Sequence, residues 1–468
     1  MKKILFALVS LLFMACADSS DSLDMLSKNK VYLTEKEYLS IAHDGTKELD
    51  KSEVMTMVSN FISDMAARKE SRTFQPVCHL NMLSKSYYVP LDTVNKSRAI
   101  NSSLRIPIYV LNYQVGNDDG VVYFSADERN PEVIALISKL PSNNQEAVAS
   151  GFSFLLEWAE KSSYENLLEV EKYRKKLSEQ TIEKICSQLG IDKQDFCLES
   201  IKDHIVVEQL GSRTKPIDMP QTQIVSMCSP IVKTEWSQGS PYNLALPVPM
   251  KPSVQQHVYT GCAVTAACQL LTAIKPDLTI DGTLMDWNAL TETTQVSESA
   301  SKSKLDMLGK LHKWVYEQLD AQPMYDSNGF HTGTGVSAND QVWFYGHYFN
   351  HSEEYGAYDP DALLRSFRNS SPSLIRGQGH AWVLDGYIVC DKETTETALA
   401  SKNTSRVFIK YYDIYWHANL GWGGTANGYY KVNPDTHVNF ESGNYVFTTD
   451  GLYVYPGLYK KNEKIVVN

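Results

Sequence analysis

A chain of 468 residues is long enough for two or three domains, and with 43% hydrophobic and 21% charged residues it can bury a sizeable core. Its formal charge of −11 argues against nucleic acid as a main partner. Eight cysteines without a Cys-x-x-Cys pair exclude a disulfide-dense scaffold and a zinc centre, and no metal or organic cofactor is implied.

Lys2 and Lys3 precede an apolar run from Ile4 to Ala15, too short to cross a bilayer, so residues 1–17 read as a signal peptide. Leu12-Phe13-Met14-Ala15-Cys16 resembles a relaxed bacterial lipobox, which would place a lipid anchor on Cys16. Ordinary cleavage after Ala17 is the other reading. Export from a bacterial cell follows either way, to the outer membrane or cell surface as a lipoprotein, or else as a secreted or periplasmic protein. The polar residues from 18 to about 50 read as a tether, with Val31-Tyr32-Leu33 as a short strand.

Val54, Met57, Val58, Phe61, Ile62 and Met65 keep helical spacing, and Ser52 can cap a helix over Ser52–Arg68. Strand-like runs follow at Ile106–Tyr113, Gly120–Ser125 and Val133–Leu140, the first two separated by a hairpin turn at Gly116–Gly120. Leu167, Val170, Tyr173, Leu177 and Ile182 among Lys and Glu predict amphipathic helix within 146–205. Gln209–Gln223 loses periodicity and contains Gly211, Pro216 and Pro220, as an exposed linker does. Cys186 and Cys197 are a conceivable disulfide in an exported protein. From about Ser226, helices at Cys262–Ile274 and Lys304–Leu319 precede strands at Ala381–Val389, Ser405–Ile414, Gly428–Val432 and Tyr445–Val454. Helices first and an antiparallel sheet later make an α+β order.

The chemistry concentrates in that last part. Cys262 follows Gly261 and opens an uncharged helical run, where a helix N-terminus favours the thiolate. Cys268, Cys390 and Cys228 read as packing residues. His380 stands between Gly377/Gly379 and the strand Ala381-Trp382-Val383-Leu384, a rigid support for a general acid/base. His417 is the rival base. Asn419 can orient the imidazole, and the indole of Trp422 in Gly421-Trp422-Gly423-Gly424 can shield the group from water. Cys, His and Asn in that chain order match a papain-like site. The oxyanion of an acyl-transfer step needs donors, for which the Cys262 N–H and the Gln238 side chain are the candidates. His331-Thr332-Gly333-Thr334-Gly335 lacks the lysine and helix of a phosphate loop and reads as a flexible cleft loop.

Four segments in order resemble the streptopain family of papain-like cysteine peptidases: Gln238-Gly239-x-Pro241-Tyr242-Asn243, Thr260-Gly261-Cys262-x-x-Thr265-Ala266, Gly379-His380-Ala381-x-Val383-x-Asp385-Gly386 and Asn419-x-Gly421-Trp422-Gly423-Gly424. Met285-Asp286-Trp287 resembles a further landmark. Pro107–Asn112 and Val122–Glu128 look like the family's inhibitory prodomain. The resemblance implies a papain-like catalytic domain, a helical part plus antiparallel sheet, preceded by a small α+β prodomain. It implies a zymogen whose own prodomain is an intramolecular inhibitor, protein or peptide substrates, and a hydrophobic residue at P2.

The expected organisation is a signal peptide at 1–17, tether and prodomain at 18–145, helical spacer and activation linker at 146–225, and catalytic domain at 226–468. Maturation is expected between Gln209 and Ser226, and the polar stretch Lys392–Ser405 as a hairpin insertion. Leu420 stands where the family carries a second tryptophan. With the lipid anchor, it motivates an alternative: a weak or inactive surface-anchored binding protein of the same fold. A Cys-dependent acyl or amide transferase shares the nucleophile but fits an inhibitory prodomain less well.

Overall fold

The computed structural model describes residues 30–42, 48–69, 76–89, 105–141, 146–208, 223–251, 256–377, 379–391, 412–433, 436, 438–442 and 445–467. The signal peptide with its lipobox, most of the activation linker and the insertion at 392–405 lie outside the described residues.

The upstream elements are β1 (Val31–Thr34), α1 (Glu35–Ala42), α2 (Lys51–Lys69), β2 (Cys78–Tyr88), β3 (Ile106–Val115), β4 (Asp118–Ser125), β5 (Glu132–Ile137), α3 (Glu146–Leu189), α4 (Leu198–Ile201), β6 (Ile205–Glu208) and β7 (Gln223–Cys228). Next come α5 (Cys262–Ile274), β8 (Leu278–Ile280), β9 (Thr283–Leu284), α6 (Trp287–Leu290), α7 (Lys302–Gln318), β10 (Gln322–Tyr325), β11 (His331–Gly335), α8 (Ala338–Tyr348), β12 (Phe349–His351), β13 (Gly356–Ala357) and α9 (Pro360–Arg368). The last are β14 (Ser373–Gly377), β15 (His380–Asp391), β16 (Tyr412–Asn419), β17 (Gly428–Val432), β18 (Asn439–Ser442), β19 (Tyr445–Thr448), β20 (Tyr453–Tyr455), β21 (Leu458–Lys460) and β22 (Ile465–Val467). Helix and strand share the chain in an α+β arrangement.

The chain divides into two compact units, one of Met1–Thr46 with Glu169–Asp218, the other of Lys47–Leu168 with Met219–Asn468, each as far as it is described. The expected spacer at 146–225 is thus shared between them. In the smaller unit, β1 and β6 pair in parallel, and Val31 and Leu33 pack with Ile185, Leu189 and Ile201. No disulfide joins Cys186 and Cys197.

The larger unit is organised by an 11-stranded sheet in the order β13-β20-β14-β15-β16-β17-β5-β4-β3-β2, with β7 also paired to β15. The upstream hairpins and the downstream strands are one sheet because β17 pairs antiparallel with β5. Gly428 permits this junction: a Cβ there would stand 2.0 Å from the Leu136 carbonyl oxygen. The junction also carries a buried ionic knot. The Lys431 ammonium lies 2.5 Å from Glu132 and 3.0 Å from Asp413, with Lys431 and Glu132 each 1% exposed. Breaking such a knot from one side strands a buried charge, which costs about 3–5 kcal/mol.

Helix α5 is buried from Ala263 through Thr272. A helix buried along most of its length belongs in a core, and fully burying Val264, Leu270 and Leu271 contributes roughly 1.5–3 kcal/mol each. It packs with Trp314, Leu311 and Val383 in the cluster that separates α5 and α7 from water. The N-terminal part of α3 uses Phe154, Leu155 and Trp158 to pack on Trp382, Trp416 and Leu420 of the sheet's other apolar cluster.

Two local readings change. His331–Gly335 is strand β11, paired antiparallel with β10, rather than a flexible loop, because Gly333 and Gly335 leave room for Met324. The run Tyr445–Val454 is interrupted by a 3-10 turn at Thr449–Gly451, where the Thr448 hydroxyl accepts from the Asp450 amide.

Candidate active site

Helices α7, α8 and α9 each begin with a side-chain cap, from Ser301, Ser337 and Asp359. Helix α5 does not. Its N-cap is Gly261, at φ 84°, with no side chain to occupy the first amides. Those amides are left for the thiol that follows. Burial pushes the Cys262 thiol up and outweighs the nearby backbone amides of Ala381, Ala263 and Cys262 itself, which act to lower its pKa.

Because Ala381 is the residue after His380, that amide contact brings the start of β15 to the start of α5. The register Gly377↔His380 closes β14 and β15 with a turn through Gly379, at φ 83°. The His380 ring stacks with two indoles, Trp422 at 4.8 Å and 22° and Trp382 at 5.5 Å and 18°. Its Nε2 is buried without a hydrogen-bond partner, and burial drives its pKa down to about 4. Burial thus favours the neutral form of both the imidazole and the thiol. Helix α3 supplies part of the enclosure: a Cβ on Gly151 would stand 2.8 Å from Trp422 and 3.4 Å from His380.

Asn419 ends β16. Its Nδ2 donates to the Thr234 carbonyl at 2.8 Å, and its Oδ1 accepts from Gln269 Nε2 at 3.2 Å and the Gly421 amide at 3.3 Å. None of these bonds goes to His380. Gln269, a buried amide side chain seven residues after Cys262 in α5, has no signature in the sequence. Its amide bridges Asn419 and the Trp236 N–H, which Oε1 accepts at 2.9 Å. Gly421, at φ 74°, brings its loop onto α5, where a Cβ would stand 3.1 Å from Thr265.

Gln238 is half-buried, and its backbone carbonyl accepts from the Thr260 N–H at 3.0 Å, which ties the loop that carries it to the segment before Cys262. His417 is engaged elsewhere: its Nδ1 is 2.6 Å from the buried carboxylate of Asp385, which also accepts from the Val232 N–H at 2.8 Å. Cys268 and Cys390 are buried within apolar clusters. The structure thus gathers Cys262, His380, Gly379 and Trp422 at one end of α5, with Gln238, Asn419 and Gly421 tied to the same helix or to the segment before it.

No curated protein matches the chain. Among solved structures it is similar to a prointerpain A fragment of Prevotella intermedia carrying a cysteine-to-alanine substitution, at 18% identity and a TM-score of 0.41, over 76% of this chain and 96% of that one. It is also similar to active wild-type interpain A cysteine protease of Prevotella intermedia, at 20% identity and a TM-score of 0.34, over 51% of this chain and 97% of that one. The model of the Peptidase C10 family matches residues 236–430, which span Gln238, Cys262, His380 and Asn419. Over that span the chain is similar to the Peptidase C10 family, the streptopain family of cysteine-type peptidases.

Proposed function

We propose that the chain is the latent precursor of an exported cysteine endopeptidase. Cys262 attacks the scissile carbonyl as thiolate, and His380 first pairs with it as imidazolium and then protonates the leaving amine. The Cys262 N–H and the Gln238 side-chain amide receive the developing oxyanion. Asn419 orients the imidazole once the upstream segment has left, and Trp422 keeps water from the pair. Substrates are proteins, with a hydrophobic residue at P2, and the N-terminus places the enzyme at a cell surface through Cys16 or releases it by ordinary signal cleavage.

The observation that carries this reading is the closeness of Gly151 to His380 and Trp422, both of which a Cβ there would meet. A segment upstream of the peptidase span reaches the very imidazole that the chemistry needs. Its cover leaves that ring neutral and without a partner, which supports latency as well as catalysis. A Cys262→Ala precursor is expected to stay full-length and to leave casein intact, a loss of at least roughly 10⁴-fold. Maturation of that variant alone at the wild-type rate, followed on a gel, contradicts self-processing through Cys262.

The bonds of Asn419 and the burial of Leu420 favour a second reading, a surface-anchored binding protein without turnover. It expects no casein degradation by the wild type even after limited proteolysis within 209–222. Robust degradation removes it.

A further inference from the structure

The peptide unit joining Tyr259 to Thr260 lies two residues before the nucleophile and is held at both of its polar atoms. Its N–H donates to the Gln238 carbonyl at 3.0 Å, and its C=O accepts from the Thr334 hydroxyl. A peptide is a rigid plane, so gripping both atoms fixes its tilt. The next residue, Gly261, turns at φ 84° into α5. The tilt of that plane therefore sets where the Cys262 sulfur and N–H point. Thr334 touches the turn a second time, since its carbonyl oxygen lies 2.7 Å from where a Cβ on Gly261 would be.

Thr334 is suited to a fixed role. It is buried in β11 opposite Pro323 of β10, and His331 Nε2 lies 3.5 Å from its hydroxyl. The His331 ring packs with Tyr259 at 5.3 Å and with Tyr325 at 5.8 Å. The hairpin β10–β11 forms its own two-stranded sheet, apart from the large sheet that carries His380. It bears on the cysteine side of the site.

We infer that Thr334 is a positioning residue for the nucleophile, its hydroxyl and the Gln238 carbonyl clamping the Tyr259–Thr260 peptide so that the Cys262 thiol and amide face the substrate carbonyl. The inference rests on the peptidase reading. Gln238 then serves twice, through its side chain at the oxyanion and through its backbone at the clamp.

The test uses the full chain, matured by cleavage of its linker, as wild type, Thr334→Val, Thr334→Ser and Cys262→Ala. Two quantities are read: kcat and KM on a peptide substrate, and the rate at which iodoacetamide alkylates Cys262, located by peptide mass mapping. Losing one buried hydroxyl bond at a positioning site is expected to lower kcat and alkylation by about tenfold in Thr334→Val, with KM within about twofold. Thr334→Ser, which keeps the hydroxyl, restores both. Wild-type kcat and alkylation in Thr334→Val overturn the inference. So do equal losses in the Val and Ser variants that track their Tm, because that pattern is packing. If valine prevents folding, Thr334→Ala carries the same comparison. A wild type no more active than Cys262→Ala sinks the peptidase reading instead, while the alkylation rates still decide the role of Thr334.

Discussion

On the cysteine side of the site, α5 starts with uncapped amides, Gly261 is pinned by Thr334, and the Tyr259–Thr260 peptide is held by Thr334 and Gln238. On the histidine side, the imidazole has a buried Nε2 with no partner, two stacked indoles and Gly151 of α3 within contact distance. One half is held by elements downstream of residue 226 alone. The other is held in part by a helix that precedes the peptidase span. The difference teaches where the proposed latency can reside: in the surroundings of His380 rather than in those of Cys262.

The largest test of that contrast is the pH dependence of Cys262 alkylation. With burial holding His380 near 4 and pushing the thiol up, the precursor holds both groups neutral, so its alkylation should climb only on the alkaline side. The matured enzyme should react at least about tenfold faster at pH 6, since each unit of pKa change is tenfold in thiolate. His380→Ala should remove that advantage and leave the precursor's curve unchanged. Identical curves for precursor and matured wild type would show that the cover does not act through the imidazole.

Gly151→Leu strikes the cover directly. Its side chain meets Trp422 and His380, and overpacking of this kind costs about 1–3 kcal/mol. Precursor activity on casein should rise by about tenfold or more while the matured enzyme is unchanged. Leu420→Trp is a milder version from the opposite face. Leu420 is buried in the cluster that includes Phe154, Leu155 and Trp158, so the larger ring should lower the precursor's Tm, again by an overpacking cost of about 1–3 kcal/mol. An unchanged Tm would mean that α3 does not bear on that site.

The smallest effect is expected from Glu160, also in α3. Burial, and then the charge of Glu157, raise its pKa from 4.5 to about 8. The folded state prefers the neutral carboxyl, so its contribution is whole below pH 4.5 and is lost as pH rises through about 8. Glu160→Gln should match wild type at pH 4 and exceed it by about 1–2 kcal/mol at pH 8, read as a difference in precursor Tm. His380 slopes the other way. Its folded pKa is depressed from 6.5, so its contribution is present above pH 6.5 and is lost as pH falls through about 4. A Tm difference for Glu160→Gln that does not change with pH would refute the buried-carboxyl account.

The local elements were largely legible because they rest on short-range patterns. The apolar run from Ala263 with a glycine before it gave α5 its bounds, and the spacing of Val54, Val58, Phe61 and Ile62 gave α2. Cys262, His380, Asn419 and Gln238 could be named because each sits beside glycines or tryptophans in a compact motif. Gln269 was passed over because a lone glutamine in a helix has no local signature. Thr334 was passed over because its glycine-rich neighbourhood reads as a loop until β10 pairs with it.

Sequence by itself determined which residues are candidates for the chemistry, since a thiol at a helix start and an imidazole at a strand start are properties of their neighbours in the chain. Only the tertiary structure decided what state those residues are in. The pairing of β5 with β17, the closeness of Gly151 to His380 and the grip of Thr334 on Tyr259 join residues 75 to 295 positions apart. Contacts across such separations are set by burial and packing of whole elements, and no periodicity along the chain encodes them.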